Sequence, residues 1–537
     1  MTTDRAADRL ARRLYDEGIR HAFGIPGGEV LTLMDALERV GIRYVLTADE
    51  GAAGFMAEAV WHRTGAPGVL VATVGPGLTN AVNVIANAKL DRVPLLVLAG
   101  VNDASERLAY THQVLDHARI VEAVVKGSFT LTADAADLVA EKALRLATDP
   151  RPGPVHIDVP IRVAAMPATG APARHRGPTL PSAPAPGPAL DEARRWLREA
   201  RRPLIVAGFD AVQDAAGSAV RALAHGLRAP VIQTYKAKGL VAEDDPWALA
   251  PAALSPVADR ELLPLVAAAD AVVLAGYDAV EMRIGWQHAV DPARQRVIEI
   301  AAVPNDHDFH QATVNVVGHV GASLEALAVE DGRSTWTSAE VAAVGERLRA
   351  AYRVDEPWGP AAIVDTARRV LPRSTVATTD AGAHRILFSQ VWQSFEPRTL
   401  LQSNGLCTMG GAVPLALGAK LADPERPAVA FLGDGGLLMG LGELATAAAL
   451  ELPIVVVVFV DRSLALIEKK QRESQLPACG VALGSPDFAA AAVALGGRGV
   501  TVADRAALAR ALEAALEAPV FTVIACPIEA DAYDGRI

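Results

Sequence analysis

The chain has 537 residues, more than one hydrophobic core organises, so about three domains of ~100 to 200 residues are expected. Hydrophobic residues make up 51% and charged residues 21%, which excludes a disordered chain and leaves apolar material for several cores. The net charge of -11, from 51 Lys and Arg against 62 Asp and Glu, comes without a basic stripe and argues against nucleic acid as a partner.

The opening MTTDRAADRLARRLYDEG carries charges throughout and no apolar signal segment. An amphipathic helix is predicted after Thr2 or Thr3. Short apolar runs then alternate with helical patterns at Tyr44 to Leu46, Val69 to Thr73, Leu95 to Ala99 and Val155 to Val159, which predicts a parallel sheet covered on both faces. The stretch MPATGAPARHRGPTLPSAPAPGPAL, starting at Met166, reads as a surface linker from its Pro, Ala and Gly content. A second α/β domain follows, with strands at Pro203 to Gly208, Ala229 to Gln233, Ala271 to Gly276 and Arg296 to Ile300. Gly208 and Gly276 are not followed by G-x-G-x-x-G, so no nicotinamide dinucleotide site is expected there. A helix from about Ser338 to Tyr352 leads into a third domain with strands at Ala428 to Leu432, Ile454 to Phe459 and Val520 to Ala525. The fold class is α/β, in three parallel-sheet domains at residues 1–165, 190–330 and 355–537. The longest apolar run, Leu452 to Val460, is too short to span a bilayer. Cys407, Cys479 and Cys526 lie far apart without ligand spacing, which fits a reducing compartment, and a cytoplasmic protein with no membrane partner is expected.

The strongest local chemistry lies in AFLGDGGLLMGLGELATA. A buried strand ends at Leu432, and Gly433, Asp434, Gly435 and Gly436 lead into a helix, an arrangement that presents backbone N–H groups to an anion. Asp461 stands 27 residues after Asp434, directly behind the next strand IVVVVFV. Adjacent parallel strands would bring both carboxylates to one sheet edge, where hard oxygen donors plus diphosphate oxygens suit magnesium.

Around these residues the chain resembles the thiamin diphosphate enzymes of the acetolactate synthase, benzoylformate decarboxylase and pyruvate decarboxylase superfamily, in a pattern similar to acetolactate synthase-like large subunits. Similar motifs stand in order along nearly its whole length: FGIPGG from Phe23, DEGAAGFMAEA from Asp49, GPGLTNAV from Gly75, RPGPVHIDVP from Arg151 and SNGLCTMGGAVPLALGA from Ser403, then the GDG segment. The resemblance implies a pyrimidine-binding domain, a central domain and a diphosphate-binding domain. It implies that Asp434, Asp461 and the carbonyl of Ser463 hold magnesium, with Gly433, Gly435 and Gly436 near the diphosphate. Gly382, Ala383 and His384 would contact the cofactor, and Met409 would bend it. Pro26, Gly27 and Gly28 would line the pyrimidine pocket, Glu50 would act on the pyrimidine nitrogen as acid–base catalyst, and Gln113 would lie closer to a 2-oxo acid substrate. The site would form between subunits of a homodimer or homotetramer. Whether the central domain carries FAD or ADP is left open.

The chain also departs from the family's pattern. Most relatives have asparagine at the place of Asp461; a second unit charge ~5 Å from Asp434 costs about 3 kcal/mol at an effective dielectric of 20, which a metal must offset. Acetohydroxyacid synthases usually carry tryptophan near the place of Lys470, and a lysine there points away from housekeeping branched-chain biosynthesis. Lys469, Lys470 and Arg472 read either as contacts for an anionic substrate or as a solvated helical face, and Glu468 as a weak candidate acid. LDRVP at Asp91 to Pro94 occupies the position of the catalytic histidine in benzoylformate decarboxylases. Three functions are carried forward: a decarboxylase and carboligase, a decarboxylase releasing an aldehyde, and an inactive cofactor-binding relative.

Overall fold

The alternating apolar runs fold as three sheets in which all strands pair in parallel, the signature of strands joined by crossover helices. The computed structural model describes residues 4–172, 180–249, 255–305 and 307–537. The first sheet contains β1 (His21–Gly24), β2 (Arg43–Leu46), β3 (Gly68–Ala72), β4 (Leu95–Val101), β5 (Ser128–Thr130) and β6 (Val155–Pro160), in the order β2-β1-β3-β4-β6-β5. The second contains β7 (Pro203–Ala207), β8 (Val231–Gln233), β9 (Ala271–Ala275), β10 (Arg296–Ala301) and β11 (Val314–Val317), in the order β11-β10-β9-β7-β8. The third contains β12 (Val376–Thr379), β13 (Leu400–Gln402), β14 (Ala428–Gly433), β15 (Val455–Val460), β16 (Arg498–Thr501) and β17 (Thr522–Pro527), in the order β13-β12-β14-β15-β17-β16. The first and third orders are the same permutation, so these two sheets repeat one architecture. Residues 173–179 of the expected linker lie outside the described residues.

The first helix, α1 (Ala6–Asp16), starts later than its sequence reading after Thr2 or Thr3. Its N-terminus is set from within the first turn: the Asp8 carboxylate accepts the Arg5 backbone N–H at 2.8 Å, one half of a capping box. Thr2 and Thr3 themselves lie outside the described residues.

Sheets one and three are joined within the chain by two small-residue helices. Helix α2 (Leu31–Val40) covers the first sheet, and α3 (Glu50–Thr64) is buried along nearly its whole length, as its run of Ala, Gly and apolar residues, broken only by the buried Glu58, requires. It crosses the helix Ala412–Ala422 so closely that a Cβ on Gly418 would lie 2.3 Å from the Met56 carbonyl oxygen, which only glycine permits.

The LDRVP segment ties all three sheets together. Asp91 accepts the amides of Asn404 at 3.1 Å and Gly405 at 2.8 Å and pairs with Lys236 at 3.1 Å, so it fixes the loop that leads to Met409. Its neighbour Arg92, in a left-handed conformation at φ 55°, inserts into the central domain and pairs with Asp210 at 2.8 Å and with Asp278. All three side chains are buried. Removing the arginine strands two buried carboxylates, so Arg92→Ala is expected to cost about 3 to 5 kcal/mol of stability. Chemical denaturation should show an early loss of the central domain; a midpoint equal to wild type would refute this assignment.

Candidate active site

The C-terminal edge of the third sheet gathers the residues singled out around GDG. Gly433 on β14 pairs with Phe459 on β15, which sets Asp434 and Asp461 just past the ends of neighbouring strands. Asp434 is 3% exposed; its carboxylate accepts the amides of Arg462 at 2.7 Å and Gly435 at 2.8 Å. Asp461 accepts the amide of Ser463 at 3.0 Å. Burial pushes both acids up, and the added charge of Asp434 takes Asp461 to about 7. Two like charges side by side, one buried and one half-buried, with oxygen donors are the chemistry a hard divalent cation resolves, so the residues fit such an ion.

Asp380, which follows β12, organises the rest of this edge and was not singled out from the sequence. It pairs with His384 at 3.0 Å and accepts the Gly410 amide at 2.6 Å, joining the TDAGAHR loop to the segment that carries Met409. His384 stacks on Phe459 with ring centroids 5.6 Å apart. A Cβ on Gly436 would meet the Asp380 carboxylate at 2.1 Å, and one on Gly435 would lie 3.4 Å from Met409 Cε, so the glycines allow this loop to close on both. Gly382 packs on the His384 ring, and Ala383 opens the helix Ala383–Val391.

A second group forms at the matching edge of the first sheet. Asp49 caps α3 by accepting the Ala52 amide at 3.1 Å, which leaves Glu50 as the first helical residue, 7% exposed. Asn80 donates to the Glu50 carboxylate at 2.6 Å and to Asp49 at 2.9 Å. Asn80 too was missed: its partners lie 30 and 31 residues away, a distance at which sequence spacing carries no signal. Pro26, Gly27 and Gly28 follow β1. A Cβ on Gly27 would meet Thr73 Oγ1 at 2.2 Å, Pro26 and Gly28 are exposed, and a Cβ on Gly28 would meet nothing within 4 Å. Gln113 is exposed and holds φ at 58°.

Within one chain the two groups meet only in part. The cleft of about 350 Å³ between the domains is walled by Asp49, Asn80, Thr408, Met409 and Met439, whereas Glu50, Asp434 and Asp461 do not line it. On the helix Ala465–Glu473, Lys469 pairs with Glu473, Arg472 bonds Asp534 at 2.8 Å and Glu468 at 3.1 Å, and Lys470 is exposed. Most of that charge is used on the helix's own surface. Glu468 also meets the Ser463 hydroxyl.

In the central domain the chain itself fills the sheet's switch point. Its order places the topological switch point between β7 and β9, where open α/β sheets bind such ligands. That crevice is closed by the chain itself: the Asp210 amide donates to the Gly276 carbonyl at 3.0 Å, and a Cβ on Gly208 would lie 2.5 Å from Tyr277 Cα. Asp210 and Asp278 present acid there, already neutralised by Arg92, where a diphosphate needs donors.

Comparison with known proteins agrees with this layout. Residues 4–120, 190–327 and 380–526 match, in turn, the N-terminal TPP binding domain, the central domain and the C-terminal TPP binding domain of thiamine pyrophosphate enzymes. The "Probable 2-ketoarginine decarboxylase" of Pseudomonas aeruginosa is 33% identical over 497 residues, covering 90% of this chain and 87% of the relative. The acetolactate synthase of Bacillus subtilis is 29% identical over 554 residues, covering 98% and 94%. An acetolactate synthase large subunit of Parasynechococcus marenigrum is 32% identical over 543 residues, covering 96% and 86%. With two matched cofactor-binding domains around a matched central domain, the chain belongs to the thiamine pyrophosphate enzymes.

Proposed function

We propose that the protein is a magnesium-dependent thiamin diphosphate enzyme that decarboxylates a 2-oxo acid and joins the remaining fragment to a second carbonyl compound, as its acetolactate synthase relatives are named for doing. The observation that carries this reading is the pairing of buried Asp434 with half-buried Asp461, whose mutual repulsion calls for a cation at the C-terminal sheet edge. Asp434, Asp461 and the Ser463 carbonyl hold the metal, and Gly433, Gly435 and Gly436 let the backbone approach a diphosphate. Gly382, Ala383 and His384 would flank the cofactor, and Met409 would offer it an apolar surface. When bound, the cofactor supplies an electron sink for breaking the bond beside a carbonyl. Glu50 holds and moves a proton at the pyrimidine, Pro26 to Gly28 line the pocket around it, and Gln113 faces the substrate.

Because Glu50 and the carboxylate pair do not share the within-chain cleft, the complete site is assembled between two copies, as a homodimer or a tetramer of such dimers. The three free thiols suit a reducing, cytoplasmic setting, and no helix among the described residues is long and apolar enough to cross a membrane.

A second reading, release of an aldehyde without ligation, is favoured by Glu468: its contact with Ser463 sets an acid beside the metal segment, where a proton donor would end the reaction early. A panel of 2-oxo acids, from pyruvate to one with a guanidino side chain, incubated with cofactor and magnesium separates the two by product. Acetolactate or a mixed 2-hydroxy ketone supports ligation, and aldehyde alone supports the second reading. Failure to release carbon dioxide from any member, with or without an aldehyde acceptor, overturns both.

A further inference from the structure

Behind Glu50 lies a cluster of two imidazoles and a carboxylate that the cofactor reading does not use. His117, at the start of the short helix His117–Val121, is 1% exposed. His156 and Asp158 stand two residues apart on β6 and therefore on one face of it. His117 Nδ1 lies 2.9 Å from Asp158 Oδ1, and His156 Nε2 lies 3.3 Å from the same oxygen. The other nitrogen of His156 meets the Ser128 hydroxyl at 3.3 Å.

Among the described residues these three form a group whose ligand atoms lie within 4.8 Å of one another, the spacing of a metal site. A fourth contact decides against a metal. The Gly75 amide lies 3.1 Å from His117 Nε2, and a backbone N–H can only donate, so Nε2 must accept. A neutral imidazole that accepts at Nε2 carries its proton on Nδ1, the atom a cation would need, and gives that proton to Asp158. Burial pushes Asp158 up, but the hydrogen bond from His117 and the close approach of His156 outweigh it and hold the acid at about 2. Asp158 is thus an ionised acceptor throughout the neutral range, and it locks one tautomer of His117.

What His117 grips is the turn that follows β3. Gly75 holds φ at 68°, and a Cβ there would lie 2.8 Å from the Gln113 carbonyl oxygen, so the Gln113 backbone rests directly on it. Two residues on, a Cβ on Gly77 would lie 3.5 Å from Glu50 Oε1, and Asn80 from the same segment donates to the other Glu50 oxygen at 2.6 Å. One turn therefore touches both Glu50 and Gln113.

The geometry points to His117 as a positioning residue: its neutral imidazole, oriented by Asp158, holds the Gly75 amide and thereby keeps Gly77 and Asn80 aligned on Glu50 and Gln113 against the turn. This rests on the reading of Glu50 as the group that moves the cofactor's proton. Misalignment by about 1 Å is worth up to ~100-fold in rate, so His117→Leu should slow both turnover and exchange of the bound cofactor's C2 proton by about 10- to 100-fold, with its magnesium requirement unchanged. His117→Gln, whose side-chain oxygen can still accept from Gly75, should recover most of the loss.

The test begins on cofactor-free protein. Nitrogen NMR of labelled histidine should find His117 protonated at Nδ1, and amide exchange across residues 73–80 should quicken in His117→Leu. A wild-type imidazole protonated at Nε2, or a stoichiometric metal that survives removal of the active-site ion, overturns the assignment; so does a leucine variant that exchanges the C2 proton at the wild-type rate. If His117→Leu fails to fold, Asp158→Asn replaces it, with slowed C2 exchange at an unchanged melting temperature supporting the proposal and unchanged exchange refuting it. Wild-type protein that binds the cofactor yet exchanges no C2 proton refutes the Glu50 reading instead, and the two cofactor-free measurements then decide the His117 contact alone.

Discussion

Glu50→Gln is expected to lower kcat/KM for 2-oxo acid decarboxylation by about 10²- to 10⁴-fold while the cofactor binds within about fivefold of wild type. The substitution keeps size and leaves an oxygen to accept from Asn80, which now bonds the carboxylate at 2.6 Å, so α3 and its Asp49 cap should stay in place. What is lost is a group that can take and return a proton. Because the change is confined to proton transfer, the loss should fall on kcat rather than KM. Cofactor affinity is read by quenching of protein fluorescence and turnover by carbon dioxide release. A variant within tenfold of wild-type kcat/KM would show that Glu50 is not the acid–base group.

Much of this frame can be read from the sequence, and the rest cannot for identifiable reasons. Strands such as Leu95–Val101 and Val455–Val460 are long and wholly apolar, so they announce themselves, and the residues just past them announce sheet edges. The strands not read from the sequence, HAFG, SFT, VNVV, VATT, LLQ and RGVT, are too brief to give a period to detect. That is why Asp380 escaped notice. It follows VATT, and without that strand nothing marks its carboxylate as the one that joins His384 to the Gly410 amide. Arg92 escaped for another reason: its partners Asp210 and Asp278 lie in a different domain, and ion pairs across domains leave no local pattern. Asp434 and Asp461 were legible because each ends a strong strand, and parallel pairing converts that into proximity.

Asp461→Asn should raise the magnesium concentration needed for half-maximal activity by about 10- to 100-fold, since withdrawing a unit charge from a ligand of the cation removes an attraction that the relieved repulsion from Asp434 offsets only in part. Turnover at saturating magnesium should change little, because the asparagine carbonyl is still a hard oxygen donor. The cofactor-free, metal-free protein should respond in the opposite sense. There Asp461 is held beside Asp434 in a buried setting that pushes it up to about 7, so the neutral side chain removes a repulsion that the folded state alone bears. The variant should therefore melt higher than wild type without metal at alkaline pH, and the gap should narrow or reverse once magnesium is added. Opposite signs in the two conditions are the mark of a charge retained for the cation at a cost to the empty fold. An unchanged magnesium requirement together with an unchanged melting temperature would place the metal elsewhere and remove the observation on which the proposed chemistry rests.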